Sequence, residues 1–361
     1  MLKRTSAGLC AVTPDSLSAE PVAYGRALLA EVMGLDSAVL GSLRLQSAGA
    51  RIAAHFSDPD YRALCARNLA CCPAQTDSPA DFRVFLLDSE SLDWPHPLPW
   101  PTQRFDRARL NHDLASAGLR GAYLHDPRVW QFFDPIRRVG VQLIRRPAAR
   151  PLWESGAPLR AFLHWAHGSE VAQLCHAASV GVNGSGVLLV GAGGSGKSGT
   201  TLAAVAGGLD TVGDDYCLVR HEQDRVTAMP LFRVLKQDPG GVRRAFGASA
   251  GTSLGALNWQ GKHEIHADRL PRDPFVPSLR IEAIVVPRIA GGAVSEFRSL
   301  EAGDAMRALA PSSAFQLPDG EREGIAFAAA LCRRLPCFEM TLSNDAGEIA
   351  ASLERFVRAL A

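Results

Sequence analysis

Gly186-Val187-Leu188-Leu189-Val190 runs without a break into Gly191-Ala192-Gly193-Gly194-Ser195-Gly196-Lys197-Ser198. The apolar run predicts a buried strand. The Ala- and Leu-rich stretch from Thr200 to Val205, closed by Gly207-Gly208, predicts a helix. The loop between them fits G-x-x-x-x-G-K-[ST] in full. Each residue type there has a physical task. Glycines and Ala192 leave room for backbone N–H groups to close around phosphate oxygens, and the helix start adds a positive dipole end. Lys197, expected to point into solvent or ligand, supplies a charge to the β and γ phosphates of a nucleoside triphosphate. Ser198 supplies a hydroxyl to Mg²⁺. The expected nucleotide contacts are therefore Gly191, Ala192, Gly193, Gly194, Ser195, Gly196, Lys197, Ser198 and Gly199.

Working outward, Ala177 to Val182 and Gly186 to Val190 flank Asn183-Gly184, a strong two-residue hairpin signal because both residues tolerate positive φ. Downstream, a short strand is expected around Thr211-Val212-Gly213, with Asp214-Asp215 at its end and another apolar run from Tyr216 to Val219. One carboxylate beside a phosphate loop can hold Mg²⁺. A neighbouring one can accept the proton of an incoming hydroxyl, because two adjacent charges share a site poorly and one pKa rises. Arg233 and Lys236 are the nearest cations in sequence for the transferred phosphoryl group, with Arg243-Arg244 as a second choice. The glycine-rich stretch from Gln237 to Lys262 reads as mobile loop. Strands are expected at Ile281–Val286 and Phe338–Leu342, and helices at Glu301–Leu309, Ile325–Arg334 and Glu348–Leu360. The last carries Ile349, Leu353, Phe356 and Val357 on one face, as a packing helix does.

These residues resemble the C-terminal catalytic domain of HPr kinase/phosphorylase and its bacterial relatives, the HPr-kinase-like serine kinases, whose fold is related to the phosphoenolpyruvate carboxykinases. In that family a histidine opens a strand fifteen residues before the phosphate loop, where His176 stands relative to Gly191. Paired aspartates follow the loop lysine by seventeen and eighteen residues, as Asp214 and Asp215 follow Lys197. The resemblance implies ATP and Mg²⁺ as cofactors and a serine or similar hydroxyl as acceptor. Lys197 is then catalytic, Asp214 the general base and Asp215 a Mg²⁺ ligand. His176 positions the aspartate or the phosphate. Sequence does not divide the two aspartate roles. Gly199 replaces an acidic residue common in the true HPr enzymes, and their Glu-Ile-Arg-Gly signature is missing, so neither HPr nor phosphorolysis is implied. Pro158-Leu159-Arg160, Leu163-His164-Trp165 and Cys175-His176-Ala177-Ala178 are closer to the relatives in peptide-tailoring clusters, some of which phosphorylate a serine of a lasso peptide precursor.

The 361 residues favour two domains: an α/β phosphate-loop kinase domain over 156–361 and a separate α+β domain over 1–155, expected to bind the acceptor or a partner. A net charge of +1 gives no general attraction to nucleic acid or membrane, so neither is expected as partner. The expected partner is a protein, peptide or small-molecule hydroxyl acceptor, with a homo-oligomer left open. Eight cysteines without an export signal read as reduced thiols, and the expected location is the cytoplasm. Cys71-Cys72 lack a second pair at zinc spacing, and His164 and His167 lack a third ligand, so these read as ordinary side chains. Trp94 to Pro101 alternates proline with other residues and reads as a rigid connector. The rival function is a nucleotide-dependent regulatory ATPase or switch. It needs a residue to orient an attacking water, and none is evident.

Overall fold

A computed structural model describes residues 21–35, 40–70, 72–73, 78–92, 105–247 and 256–361. The proline-rich 94–101 stretch and the side chains of Cys71 and Cys72 lie outside the described residues. The chain is mixed α/β and separates into two compact units. The first takes the described parts of Met1–Arg67, Cys71–Ser155 and Leu159–Ala166; the second takes Asn68–Ala70, Gly156–Pro158 and His167–Ala361. No helix among the described residues is long and apolar enough to cross a membrane.

The first unit is a seven-stranded sheet with α1 (Pro21–Met33), α2 (Pro59–Asn68) and α3 (Arg107–Ser116). Its strands are β1 (Gly41–Ser47), β2 (Ala50–Phe56), β3 (Cys72–Pro73), β4 (Phe82–Asp88), β5 (Arg120–Leu124), β6 (Val129–Asp134) and β7 (Val139–Ile144), in the order β3-β1-β2-β4-β7-β6-β5. Only β2–β4 and β4–β7 are parallel. All six residues of β6 and of β7 are buried, because both faces of the sheet centre are covered. One face carries an aromatic core of Tyr24, Trp130 and Phe132 in stacked and edge contacts. A polar chain is also buried in this unit. Gln131 Nε2 donates to Gln142 Oε1 at 2.7 Å, Gln142 Nε2 to Tyr61 Oη at 3.4 Å, and Tyr61 Oη to Glu154 Oε2. The same Glu154 oxygen accepts the Leu159 N–H at 2.8 Å. Helix α4 (Arg160–His167) begins just after this anchor.

The second unit is built on an eight-stranded sheet. Its strands are β8 (Ala172–Cys175), β9 (Ala178–Val182), β10 (Ser185–Leu189), β11 (Cys217–Glu222), β12 (Arg225–Pro230), β15 (Leu279–Gly292), β16 (Glu296–Ser299) and β17 (Cys337–Ser343). A separate ribbon pairs β13 (Val234–Gln237) with β14 (His263–His266). The β9–β10 hairpin turns on Asn183 and Gly184, with φ of 54° and 82°, as a two-residue primed turn requires. At the centre, β10, β15 and β17 run parallel.

Strand alternation explains what covers each face of that centre. Val187 and Leu189 of β10, with Ala283 and Val285 of β15, share one core with Ala203 and Ala204 of α5 (Lys197–Ala206) and Ile349, Leu353 and Val357 of α9 (Ala346–Leu360). Leu188, Val190 and Ile284 point the other way. They join Leu309 of α7 (Ala302–Phe315) and Phe327 and Leu331 of α8 (Glu321–Arg334). Each fully buried aliphatic side chain contributes roughly 1.5–3 kcal/mol, so these two layers hold the strand that feeds the glycine loop.

Residues 239–246 are not loop but helix α6 (Pro239–Phe246), capped by the Asp238 carboxylate on the Gly241 N–H at 2.9 Å. Thr211-Val212-Gly213 is not a strand; Asp210 and Thr211 make only isolated bridges, to Gly181 and Phe275.

Candidate functional site

The glycine-rich loop leaves β10 with the Val190 N–H still on Val285 O at 2.9 Å, so its root is fixed to the sheet. Ser195 N–H closes a turn onto Ala192 O at 3.2 Å. Gly194 and Gly196 have φ of 82° and 104°, values that carry strain for any side chain. At Gly196 a Cβ would also fall 2.7 Å from Leu342 Cδ1. Around Gly193 and Gly194, by contrast, a Cβ would meet nothing within 4 Å, so these exposed residues border open space. No side chain caps the start of α5, leaving its first amides to the loop.

Lys197 departs from its expected pose. It is buried, with its ammonium donating to the carbonyls of Gly191 and Ala192. Burial pushes its pKa down, against the attraction of Asp215 and Asp214. Ser198 is half-buried in the next position of the helix. The hydroxyls of Ser195 and Thr200 are buried without a protein partner. Gly199 lies against the Gln237 amide, 3.1 Å from where its Cβ would be, and the same amide fills the space beside Gly241. A larger residue after Ser198 would press on the Gln237 amide, which would have to give by a few tenths of an ångström.

Asp214 and Asp215 do not end a strand; they sit in the turn that precedes β11. A small hydroxyl network shapes this turn. Thr211 Oγ1 donates to Ser179 O at 2.8 Å, Ser179 Oγ accepts the Val212 N–H at 2.8 Å, and Ser179 N–H reaches Gly213 O at 2.9 Å. At Gly213 a Cβ would fall 2.9 Å from Tyr216 O, so the tight turn leaves space only for hydrogen.

The two carboxylates have different surroundings. Asp214 is buried; its Oδ2 accepts the Lys236 backbone N–H at 2.8 Å, and its Oδ1 has no partner. Burial first, then the adjacent Asp215 charge, pushes its pKa up to about 7. Asp215 is 27% exposed and has both oxygens engaged, Oδ1 with His176 Nε2 and Oδ2 with Lys236 Nζ, each at 2.9 Å. Burial would raise its pKa, but Lys236 and His176 outweigh it and hold the carboxyl well below the usual range. Lys236 gains correspondingly: burial opposes its charge, and Asp215 more than compensates, raising its pKa.

His176 does not open a strand; it lies between β8 and β9. Its N–H reaches Ser313 Oγ on α7 at 3.1 Å, and its ring lies 5.1 Å from that of Tyr216. The Tyr216 hydroxyl in turn donates to Gln316 Oε1 at 2.9 Å. His176 is thus held from its backbone and across its ring face, with Nε2 on Asp215.

The structure therefore brings together His176, Lys197, Asp214 and Asp215, and it sorts the candidate cations. Lys236 is in the centre. Arg233 pairs instead with Asp273, and Arg243 and Arg244 are exposed on α6. Sequence reasoning missed Lys262, whose charge acts on both Lys197 and Asp214. It follows a turn built on Asn258, whose Oδ1 accepts the N–H groups of Gln260 and Lys262 at 2.9 and 3.1 Å. Asn258 and Gly261 carried the turn signal, within a stretch read only as loop. Among the described residues, no group of three or more His, Cys, Asp and Glu side chains is placed to hold a metal by itself.

No family model matches this chain, and no curated protein matches it. Among solved structures it is similar to the Hpr(Ser) kinase/phosphatase from Coxiella burnetii, with 13% identity and a TM-score of 0.28 over 52% of this chain and 95% of that one.

Proposed function

We propose that the second unit binds ATP with Mg²⁺ and transfers the terminal phosphoryl group to a serine or similar hydroxyl of a protein, peptide or small molecule. One observation carries this reading. An open glycine loop at a strand end and helix start has its lysine within the field of two carboxylates whose pKa values are pushed apart. Such a split suits one group to proton transfer and the other to permanent charge.

In this reading the loop amides and the first turn of α5 receive the phosphates. Lys197 leaves the Gly191 and Ala192 carbonyls to pair with them. The residues suit a hard cation: the Ser198 hydroxyl and the ionised Asp215 offer oxygen donors, and Mg²⁺ takes only one or two carboxylates beside substrate phosphates. The bound metal–nucleotide supplies the electrophilic phosphorus and part of the charge that stabilises its transfer. Asp214, with Oδ1 unpartnered and a pKa near neutrality, takes the acceptor's proton. His176 keeps Asp215 oriented, and Lys262 is a further positive charge beside the reacting groups. The first unit is assigned to the acceptor or a partner.

Incubation of the purified chain with γ-labelled ATP and a cell extract tests the proposal. Label should appear as phosphoester on an acceptor, and ATP hydrolysis without acceptor should be slow. Rapid hydrolysis that no acceptor diverts would favour the regulatory switch instead.

A further inference from the structure

Lys236 has no assigned step in the chemistry above, yet both its backbone and its side chain are engaged in the site. It sits within β13, buried, with its backbone N–H on Asp214 and its ammonium on Asp215. An ammonium resists burial unless paired, so a lysine here requires a partner that stays anionic. Room for it is made by Gly156. A Cβ there would fall 2.6 Å from Lys236 Nζ, although the Gly156 backbone is not in the left-handed region that demands glycine. Glycine at 156 thus serves the ammonium and not the turn. Glu264, the register partner of Lys236 on β14, adds a second negative charge nearby.

The consequence lies at Asp215. Its oxygens are divided between His176 and Lys236, and Lys236 places a full positive charge at ion-pair distance. A divalent cation approaching that carboxylate meets this charge. We infer that Lys236 is a resident counter-cation, holding Asp215 in place of the metal and yielding it only when a triphosphate arrives to take up the ammonium. Metal and nucleotide then enter together, and Lys236 becomes a positioning charge for the transferred group. This rests on Asp215 being the metal ligand of the proposed kinase.

Mn²⁺ binding to the full chain, followed by electron paramagnetic resonance without nucleotide, tests the inference independently of catalysis. Wild type should bind Mn²⁺ weakly. Lys236→Met should raise nucleotide-free affinity by at least about tenfold, the effect of removing a like charge a few ångströms away. Lys236→Arg should stay close to wild type, and adding Asp215→Asn to Lys236→Met should abolish the gain. With a non-hydrolysable ATP analogue, wild type should tighten on Mn²⁺ far more than Lys236→Met does. Should Lys236→Met fail to fold by circular dichroism, Gly156→Ala displaces the ammonium without removing it and should give a smaller gain. Unchanged or weaker Mn²⁺ binding in the folded variant overturns the counter-cation role. Absence of analogue binding in wild type would instead sink the kinase reading, and the nucleotide-free comparison would still decide the role of Lys236.

Discussion

Both units bury a carboxylate whose pKa burial drives upward, Glu154 in the first and Asp214 in the second, yet the two networks differ in one respect. Glu154 ends a closed chain through Tyr61, Gln142 and Gln131. Among the described residues, none of these four has a buried polar atom without a partner. Among the described residues of the loop, α5, the acidic turn and the β8–β9 connection, Asp214 Oδ1, His176 Nδ1, Ser195 Oγ and Thr200 Oγ1 are buried without a hydrogen-bond partner. A satisfied buried network rigidifies a core, whereas unsatisfied atoms gathered beside an open loop are costly unless a ligand completes them. The first network is closed on itself, and the second offers atoms that a ligand of the proposed kinase would complete.

The sharpest way to break that contrast is Lys197→Ala. Transfer should fall by at least about 10³, as when an electrostatic transition-state contact is lost, with the circular dichroism spectrum unchanged. Normal turnover in a folded variant would remove the assigned phosphate site. The aspartates come next. Asp214→Asn should cost transfer about 10²-fold or more while keeping Mg·ATP affinity. Asp215→Asn should weaken metal binding as well and, by leaving Lys236 without its counter-charge, lower stability by about 3 kcal/mol. Equal loss of metal affinity in both, measured by calorimetric titration, would mean the roles are shared or reversed.

In the first unit the order of effects should invert. Tyr61→Phe removes one of the two donors on Glu154 Oε2 and the acceptor of Gln142 Nε2, and should cost about 1–3 kcal/mol in urea unfolding, with nucleotide affinity untouched. A large loss of nucleotide binding would erase the distinction between the networks. The last effect concerns pH. Burial and the neighbouring Asp215 charge raise the folded pKa of Asp214 from the ordinary carboxylate range to about 7, so folding favours the protonated form. That contribution is complete below about pH 4 and is lost as pH rises through about 7, with a slope of at most about 1.4 kcal/mol per pH unit for one proton. Asp214→Asn should flatten this slope in unfolding experiments on the nucleotide-free protein. A slope identical to wild type would place the titration elsewhere.

What the sequence disclosed was whatever local chemistry decides. Asn183-Gly184 has one good conformation between two strands, and the spacing of Ile349, Leu353 and Val357 specifies a helix face. The strand–loop–helix order around Gly191 was legible for the same reason. Long-range partners were not. The bond from Lys236 to Asp215 spans 21 positions, and nothing in the lysine's neighbours distinguishes it from Arg233, which pairs with Asp273. Lys197 was misplaced because the loop's own fold brings the Gly191 and Ala192 carbonyls within reach of its ammonium, which residue spacing alone does not show. Helix α6 was missed because Gly240-Gly241 depress helix propensity, although Asp238-Pro239 is a start signal that tertiary packing then used. The parallel pairing of β2, β4 and β7 likewise depends on chain crossings that no local pattern encodes.

The Gln237 amide, wedged against Gly199 on α5 and Gly241 on α6, has an evolutionary corollary. Space at these three positions is shared, so they should vary as a set. A side chain at 199 would need the Gln237 amide to give by a few tenths of an ångström, whereas one at 241, its Cβ 2.1 Å from the same amide, would need it to swing away. With a shorter residue at 237 the pair of glycines would be released from selection, and either helix would be open to better helix formers. Position 237 therefore links what the start of α5 and the start of α6 can each carry.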